Sequence, residues 1–463
     1  MTTFLRVDLP YPRRYSRRAW YRPAASVTGL QAKVDLTSSL SPLASCLGIF
    51  MIHGIKGVKD ILPEESRRWQ AIEAAARRTA TLFGFQEIRV PIFEVTELFA
   101  RSIGATTDIV EKEMYTFQDR DGSSLTLRPE ATAGVVRAYI EHSLSGQPTS
   151  QKLFYVGPMF RHERPQAGRL RQFHQFGVES FSSTSPYADV EVMSLLWRFL
   201  TGLGLTGLTL ELNSLGEASD RPGYRRVLVE YLKAKEGLLC GNCRRRMESN
   251  PLRVLDCKVP ECRSATADAP KLTDHLSPFA QDHFRQVTEG LTDLGIPFSL
   301  NPRLVRGLDY YTLTTFEVTT GNLGAQNAVG AGGRYDGLVK TLGGSDTPAV
   351  GFAVGLERVA LLLPEQALQA QNPLVFIAAF GSTSTKIGAR ILDGLRAAGV
   401  RAESDLRGAS LKSQLRHADR LGASTVVILG EDEVAQGAAV LRNMTTKEQQ
   451  TVPLDRVVEA LSK

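Results

Sequence analysis

The sequence lacks a long apolar run. None of its 463 residues belongs to a stretch of about 18 apolar residues, so no transmembrane helix is expected. Cysteine is scarce as well, because the five cysteines are too few and too clustered to form a disulfide scaffold. This usage predicts a reducing, cytoplasmic location, and the length predicts about three domains.

Common signatures of nucleotide and metal chemistry are also missing. In the glycine-rich stretch that begins at Gly330, Tyr335 occupies the position of the third glycine of G-x-G-x-x-G. No G-x4-G-K-[ST] sequence occurs. His162-Glu163 matches the start of H-E-x-x-H, but Gln166 stands at the second histidine position. These departures argue against a dinucleotide fold, a P-loop fold and a zinc protease.

Most of the chain has no excess of charge of one sign. The formal net charge is +6, and residues 1–50 alone hold seven Lys or Arg and two Asp or Glu. Any binding of nucleic acid by the rest must therefore depend on local patches. We interpret residues 1–50 as an N-terminal extension, either disordered or upstream of a true start at Met51. A targeting segment is the alternative.

The strongest functional pattern lies in residues 152–181. An apolar run ends at Gly157-Pro158, and residues 172–179 then alternate polar and apolar side chains, which predicts a returning strand with Gln175 and Glu179 on one face. The loop between them is cationic and contains Arg161, Arg164, Arg169 and Arg171. A hairpin of this kind predicts a site for an anion, with an exposed basic loop as the alternative.

Residues 125–133 predict a second polar site. A strand ends at Pro129, and Glu130 and Thr132 precede a helix predicted over 133–142. A carboxylate and a hydroxyl two positions apart suit an ammonium group, which needs several hydrogen-bond acceptors. The alternative is that Thr132 only caps the helix.

Residues 217–300 interrupt the pattern and are predicted to be a mostly helical insertion. They contain a C-x2-C-x13-C-x4-C cluster, formed by Cys240, Cys243, Cys257 and Cys262. Both pair spacings allow four thiolates to bind Zn²⁺ tetrahedrally, which would stabilise an insertion with little core of its own. The alternative is four reduced cysteines without metal.

The chain returns to strands after the insertion. Residues 304–312 and 316–318 predict a pair of strands, so adjacent Tyr310 and Tyr311 would point to opposite sides. Residues 350–361 predict a strand of small residues that enters a helix with Arg358 near its start. After a linker at 364–373, residues 374–463 predict a small α/β domain with a partly parallel sheet.

These stretches resemble, in family order, the motifs of class II aminoacyl-tRNA synthetases in their histidyl-tRNA synthetase version. A predicted helix over 60–83 with the following strand resembles motif 1, the dimer element. Residues 152–181 resemble motif 2, and residues 350–361 resemble motif 3. The runs TLRPE, ending at Glu130, and RGLDYYT, beginning at Arg306, resemble the stretches typical of histidyl synthetases.

The resemblance covers about residues 54–463 and implies a fold. It is an α+β class II core, an antiparallel sheet flanked by helices, within a catalytic domain at 51–363 that includes the insertion at 217–300. A C-terminal α/β anticodon-binding domain would occupy 374–463. The protein would act as a cytoplasmic homodimer.

The resemblance also implies an activity: ATP-dependent attachment of L-histidine to its tRNA through a histidyl-adenylate, with Mg²⁺. The implied catalytic cations are Arg161, Arg306 and Arg358. The implied ATP-binding residues are Arg161, Glu163 and Arg358. The implied histidine-binding residues are Glu130, Thr132 and Gln175 for the α-amino group, and Glu179, Tyr311 and nearby Tyr310 for the imidazole. Arg164, Gln166 and Arg169 would meet the tRNA acceptor end.

Two other functions are considered. One is a non-catalytic paralogue, the regulatory subunit of ATP phosphoribosyltransferase, which typically lacks the C-terminal domain. The other is a class II synthetase for proline, threonine or glycine. The run from Arg306 to Tyr311 and the presence of residues 374–463 argue against the first, and the Glu179–Tyr311 pair argues against the second.

Overall fold

The computed structural model describes residues 52–104, 107–146, 151–324, 327–365 and 373–462. The predictions made for residues 1–50 and for most of the linker at 364–373 lie outside this part of the chain. Among the residues described, no helix combines the length and the apolarity that crossing a membrane requires.

The first part of the chain alternates helices with short and long strands. Its helices are α1 (Pro63–Leu82), α2 (Thr96–Ile103), α3 (Thr132–Glu141) and α4 (Pro186–Gly202). Its strands are β1 (Gln86–Glu87), β2 (Phe93–Val95), β3 (Tyr115–Gln118), β4 (Ser124–Leu127), β5 (Lys152–Phe160), β6 (Gln172–Phe181) and β7 (Leu208–Ser214).

The insertion is helical, as predicted, but its last residues rejoin the main sheet as a strand. Its elements are α5 (Arg221–Lys233), α6 (Gly241–Ser249), α7 (Pro260–Ala265), α8 (Pro278–Asp293) and β8 (Phe298–Leu300). The core then continues through β9 (Thr312–Thr320), β10 (Ala328–Arg334), α9 (Leu338–Thr341), β11 (Ala349–Gly355) and α10 (Leu356–Leu362).

The main sheet has the order β1-β5-β6-β11-β10-β9-β7-β8. Its six inner strands pair antiparallel, and only the edge strands β1 and β8 pair parallel to their neighbours. Apolar side chains on both faces of the sheet are covered, because helices α1, α4 and α8 contribute to one buried cluster and helices α3 and α5 to another. The predicted antiparallel sheet flanked by helices is confirmed.

Period-two alternation along β6 decides which side chains reach the site. Phe176 and Val178 are buried in the cluster that includes α1 and α4, so Gln175, Gly177 and Glu179 face the other way. Opposite Glu179 the register places Gly351 of β11. A Cβ at Gly351 would collide with the Glu179 carboxylate, so glycine makes room there for the acid.

The C-terminal part forms a separate five-stranded sheet in the order β13-β12-β14-β15-β16. Its strands are β12 (Val375–Ala379), β13 (Ala402–Ser404), β14 (Thr425–Leu429), β15 (Ala438–Asn443) and β16 (Gln449–Pro453), and its helices are α11 (Ser382–Ala397), α12 (Leu411–Arg420), α13 (Glu431–Ala435) and α14 (Val457–Leu461). The β13-β12-β14 pairs are parallel and the others antiparallel, which confirms the partly parallel sheet. The edge strand β16 is mostly exposed and shows little apolar alternation.

One predicted strand is wrong. Residues 303–311 form no strand, and β9 begins only at Thr312. Leu313 even adopts a φ of 47°, a conformation that breaks the regular pleat. The inference that Tyr310 and Tyr311 point to opposite sides therefore fails, and the two rings lie 4.7 Å apart with both side chains in one cavity.

Candidate active site

A cavity of about 280 Å³ opens where the main sheet meets the loop between β5 and β6. The end of β4, the β5–β6 loop, β6, residues 306–311 and the junction of β11 with α10 all contribute to its wall. It brings together all the residues predicted to bind histidine or ATP, which are Glu130, Thr132, Arg161, Glu163, Gln175, Glu179, Arg306, Tyr310, Tyr311 and Arg358. Of the predicted tRNA contacts, Arg169 also lines the cavity.

Glu130 lies just before α3 and is buried. Its carboxylate accepts the backbone N–H groups of Thr132 and Ala133, at 2.6 and 3.0 Å. Glu130 therefore supplies hydrogen-bond acceptors for the N–H groups of the first helical turn. The alternative that the Thr132 side chain caps the helix is wrong. The Thr132 hydroxyl instead donates to Glu179 Oε1 at 2.7 Å.

Glu179 is a buried acid of the cavity with a strongly raised pKa. It accepts hydrogen bonds from the Thr132 and Tyr335 hydroxyls. Burial raises the pKa of its carboxyl to about 8, and repulsion from Glu130 adds to the rise, while the two hydrogen bonds oppose it. A carboxyl with this pKa exchanges its proton near neutral pH, which suits a partner for an imidazole.

Three tyrosines surround this carboxyl. Tyr310 lies 4.7 Å from Tyr311 and 5.6 Å from Tyr335, measured between ring centroids. Burial raises the pKa of Tyr311, so its phenol stays neutral and can donate or accept. The Oε1 atom of Gln175 is buried there without a hydrogen-bond partner among the described residues. An orphaned buried acceptor in a cavity wall indicates a ligand with N–H donors.

The three predicted arginines face the same cavity. Arg161 donates from Nε to the Pro129 carbonyl at 2.8 Å and lies 5.2 Å from the Phe173 ring centroid. Arg306 donates from Nη1 to Glu317 Oε2 at 2.5 Å. Arg358 donates to two backbone carbonyls, those of Gly168 at 3.1 Å and Ala328 at 2.5 Å.

Electrostatics show that this group of cations is not fully neutralised. Burial lowers the pKa of Arg358, and the neighbouring cations Arg169 and Arg161 lower it further. Burial also lowers the pKa of Arg161, and Arg306 contributes in the same direction. Guanidinium groups still remain charged. Convergent cations that repel one another form a ready site for a polyanion.

The residues predicted to contact tRNA lie in two different environments on the β5–β6 loop. Arg164 and Gln166 are exposed, whereas Arg169 turns inward and forms an ion pair with the buried carboxylate of Glu163. The loop closes on itself by paired backbone hydrogen bonds between Gln166 and Arg169, at 3.0 and 2.9 Å. Glu163 also lies 3.9 Å from Arg161.

Two residues of the site were missed in the sequence. Tyr335 stands at the end of the glycine-rich stretch, which lacks a nucleotide fingerprint, and its hydroxyl donates to Glu179 Oε2. Glu317 pairs with Arg306. A signal for Glu317 was available, since it is the only charged residue of β9.

An antiparallel sheet flanked by helices, with arginines from motif 2, from motif 3 and from a segment before β9 around one cavity, defines a class II aminoacyl-tRNA synthetase. A family model described as histidyl-tRNA synthetase matches residues 57–359, and a model described as anticodon binding domain matches residues 374–463. The chain belongs to the histidyl-tRNA synthetase family. The resemblance drawn from the motifs is confirmed.

Individual relatives agree with this assignment. A histidine–tRNA ligase of Desulfatibacillum aliphaticivorans is 54% identical over 413 residues, which are 89% of this chain and 99% of the relative. One of Geobacter metallireducens is 54% identical over 405 residues, 88% of this chain and 98% of the relative. The crystal structure of apo histidyl-tRNA synthetase from S. aureus has a TM-score of 0.76 and 38% identity, covering 89% of this chain and 100% of its own.

Proposed function

We propose that this cavity joins L-histidine to ATP as histidyl-adenylate and then transfers the histidyl group to its tRNA, releasing AMP and pyrophosphate. The main support is that three arginines and the buried Glu179 line a single cavity. The histidine carboxylate is ionised at neutral pH and attacks the α-phosphorus. A new O–P bond forms as the bond to the β-phosphate oxygen breaks, so the step needs fixed cations and no general base.

Each arginine has a proposed place on the substrates. The Nε of Arg161 is held by Pro129, which aims its two terminal nitrogens at the α-phosphate and the histidine carboxylate. Arg306 would bind the same phosphate from the other side, with Glu317 fixing its guanidinium. Arg358 would bind the γ-phosphate. A planar fork that contacts two oxygens makes arginine better suited than lysine to these positions.

The histidine pocket would bind both the α-ammonium group and the imidazole of the amino acid. Glu130, Thr132 and the orphaned Gln175 Oε1 would accept hydrogen bonds from the α-ammonium group. Glu179 and Tyr311, with Tyr310 beside them, would bind the two imidazole nitrogens. An amino acid without these nitrogens would leave buried polar groups unpaired, which is the strongest basis for rejection in a site of this kind.

Magnesium would enter with the phosphates of ATP. The carboxylates near the arginines of the cavity are Glu163 and Glu317, which are paired with arginines, and Glu357, which is hydrogen-bonded to His174. They suit a cation bound mainly through substrate phosphates and water, with at most one or two carboxylates. Glu163 is the proposed protein contact to the magnesium ion or the adenine.

The tRNA would meet two parts of the chain. The exposed Arg164 and Gln166, together with Arg169 once ATP displaces it from Glu163, would contact the acceptor end. The proposed division is a catalytic domain at 51–363 with its insertion at 217–300, and an anticodon-binding domain at 374–463. We place the protein in the cytoplasm because its few cysteines suit a reducing compartment.

The activity is tested by ATP–pyrophosphate exchange with each amino acid in turn, followed by charging of tRNA. We expect exchange with histidine and with no other amino acid, and then histidine attached to tRNA. Exchange that depends on proline, threonine or glycine would contradict the proposal. So would the absence of any exchange in a folded protein, the result expected of a regulatory subunit.

We also propose that the insertion holds a structural zinc ion. The four sulfur atoms of Cys240, Cys243, Cys257 and Cys262 lie within 4.8 Å of one another. Tetrahedral Zn–S bonds of about 2.3 Å place sulfur atoms about 3.8 Å apart, so little adjustment is needed. Three of these cysteines are buried, and a closed set of four thiolates is typical of structural rather than catalytic zinc.

Metal analysis of purified protein should find one zinc per chain. Cys262→Ser should lose most of this zinc and lower the melting temperature, because metal binding contributes to folding free energy. Cys46→Ser, which removes the cysteine that stands apart in the sequence, is the matched control. Its zinc content and melting temperature should equal those of wild type. Protein without stoichiometric zinc, or equal zinc in both variants, would contradict the site.

A homodimer is proposed through one face of the small sheet β2-β4-β3. Phe93 and Phe117 are about half exposed and lie 6.5 Å apart, with exposed Ile92 and Val95 beside them. The strand β2 comes shortly after α1 in the chain, in the region that resembles the motif 1 dimer element. Exposed aromatic clusters also favour association between proteins. A second copy of the chain is the proposed occupant.

Phe117→Glu should shift the protein from dimer to monomer in sedimentation equilibrium, because a charge would be buried in the contact. Glu111→Gln, a change of an exposed acid that precedes β3 in the chain, is the control. A wild-type protein that sediments with the mass of one chain, 50.7 kDa, would refute the dimer.

A further inference from the structure

Three proposed site residues lie on a segment without regular structure. Residues 303–311 connect β8 to β9 and include Arg306, Tyr310 and Tyr311. A strand would fix such side chains by its ladder of backbone hydrogen bonds, but here the ladder starts only at Thr312. The position of these three side chains must therefore depend on other contacts.

The insertion supplies contacts to both ends of this segment. At its end, Arg221 at the start of α5 donates from Nη2 to the backbone carbonyl of Tyr311. At its beginning, Arg303 donates to the Thr266 carbonyl at 2.6 Å and the Leu255 carbonyl at 3.1 Å. Between them, Asn250 Nδ2 donates to Asp309 Oδ1 at 2.9 Å.

Packing between the segment and the insertion is incomplete. A second cavity of about 360 Å³ lies between the insertion and the segment, and both Arg306 and Tyr311 line it as well as the first cavity. Tyr311 is buried in the cluster that includes α3 and α5, but the open space on this side removes part of the dispersion contacts that a closed core would supply. Arg221 and Arg225 both line this second cavity, and Arg221 is the one that donates a hydrogen bond to the Tyr311 backbone there.

The charge of Arg221 suits this role. Burial lowers the pKa of its guanidinium, and attraction to Asp309 opposes that change. A buried guanidinium that donates to a carbonyl costs more to displace than a neutral donor. Its Nε also points to the Leu215 carbonyl at 3.4 Å, so Arg221 joins the end of β7 to the end of the segment.

We infer that Arg221 is a positioning residue for histidine recognition: it fixes the Tyr311 backbone and thereby keeps the phenol in the histidine pocket. The inference rests on the proposed function and adds a role for the insertion within the catalytic site. Arg221 contacts neither substrate in this proposal and acts through Tyr311.

The test compares Arg221→Ala with Arg225→Ala in histidine-dependent exchange. Arg225 lies one turn along α5, is exposed, and donates to the Glu248 carbonyl inside the insertion. Arg221→Ala should raise KM for histidine about 10- to 100-fold, as expected for a displaced recognition group, while KM for ATP changes less than about threefold. Arg221→Lys should recover part of the loss, since an ammonium can still donate to one carbonyl.

Arg225→Ala should match wild type in both constants. The inference is overturned if the two alanine variants have the same KM for histidine. It is also overturned if Arg221→Ala raises both KM values equally together with a lower melting temperature, the pattern of general destabilisation. Wild-type exchange, measured in the same series, decides the proposed function separately.

Discussion

Arg306→Ala should slow histidine-dependent ATP–pyrophosphate exchange by roughly 30- to 1,000-fold, or about 2–4 kcal/mol of transition-state stabilisation. Histidine affinity should change little, because Arg306 is assigned to the phosphate. The structure gives a second reason for a large effect. Removing the guanidinium leaves the Glu317 carboxylate, now paired at 2.5 Å, uncompensated beside the α-phosphate site.

This second reason can be measured separately. Adding Glu317→Ala to Arg306→Ala should recover part of the lost rate, because the repulsive carboxylate is then gone, while the missing cation keeps the double variant well below wild type. Arg306→Lys keeps the charge and should fall between wild type and alanine, since an ammonium cannot contact two oxygens in one plane. Near-normal exchange by Arg306→Ala would refute the assigned role.

Local patterns predicted the parts of the site that depend on local geometry. The alternation of residues 172–179 placed Gln175 and Glu179 on one face, and the structure puts both in the cavity, because the pleat of a strand follows from its own backbone. The convergence of Arg161, Arg306 and Arg358 could not be predicted from local patterns. These arginines belong to different elements, and their meeting depends on the order of strands in the sheet, which only the family resemblance could supply.

The wrong predictions also concern features that local sequence patterns do not determine. Tyr310 and Tyr311 were assigned to a strand because the sequence around them is apolar and aromatic, yet side chains more than forty positions away hold their segment in an irregular path. Thr132 was a plausible helix cap, but Glu130 reaches the same N–H groups. The Glu130 carboxylate and the Thr132 hydroxyl could both accept hydrogen bonds from the first turn of the helix. The sequence does not show which of the two does so.

Glu179→Gln should have two opposite effects: weaker histidine recognition and a more stable ligand-free protein. The first follows because Glu179 can pass its proton to the imidazole and pair with it as a carboxylate, and such a charged hydrogen bond exceeds a neutral one by about 1–2 kcal/mol. Exchange at low histidine concentration should therefore fall about 10-fold or more. KM for ATP should stay nearly unchanged, since Glu179 faces the histidine end of the cavity.

The stability gain should depend on pH in a defined direction. Burial raises the pKa of Glu179 from 4.5 to about 8, so between these values the unfolded chain loses this proton while the folded chain keeps it. Unfolding then releases a proton, and the contribution of this group to folding stability declines as pH rises toward about 8. Glutamine has no proton to lose, so the variant avoids this decline.

Melting temperatures of ligand-free wild type and Glu179→Gln should therefore be close near pH 5 and diverge up to about pH 8, with the variant higher by an amount equivalent to at most a few kcal/mol. The difference should level off above that pH. Glu111→Gln, the loss of an exposed carboxylate, controls for the change in net charge. If Glu179→Gln instead melts lower than wild type at pH 8, the carboxyl is ionised at little cost and the cavity is not the desolvated pocket that histidine selection requires.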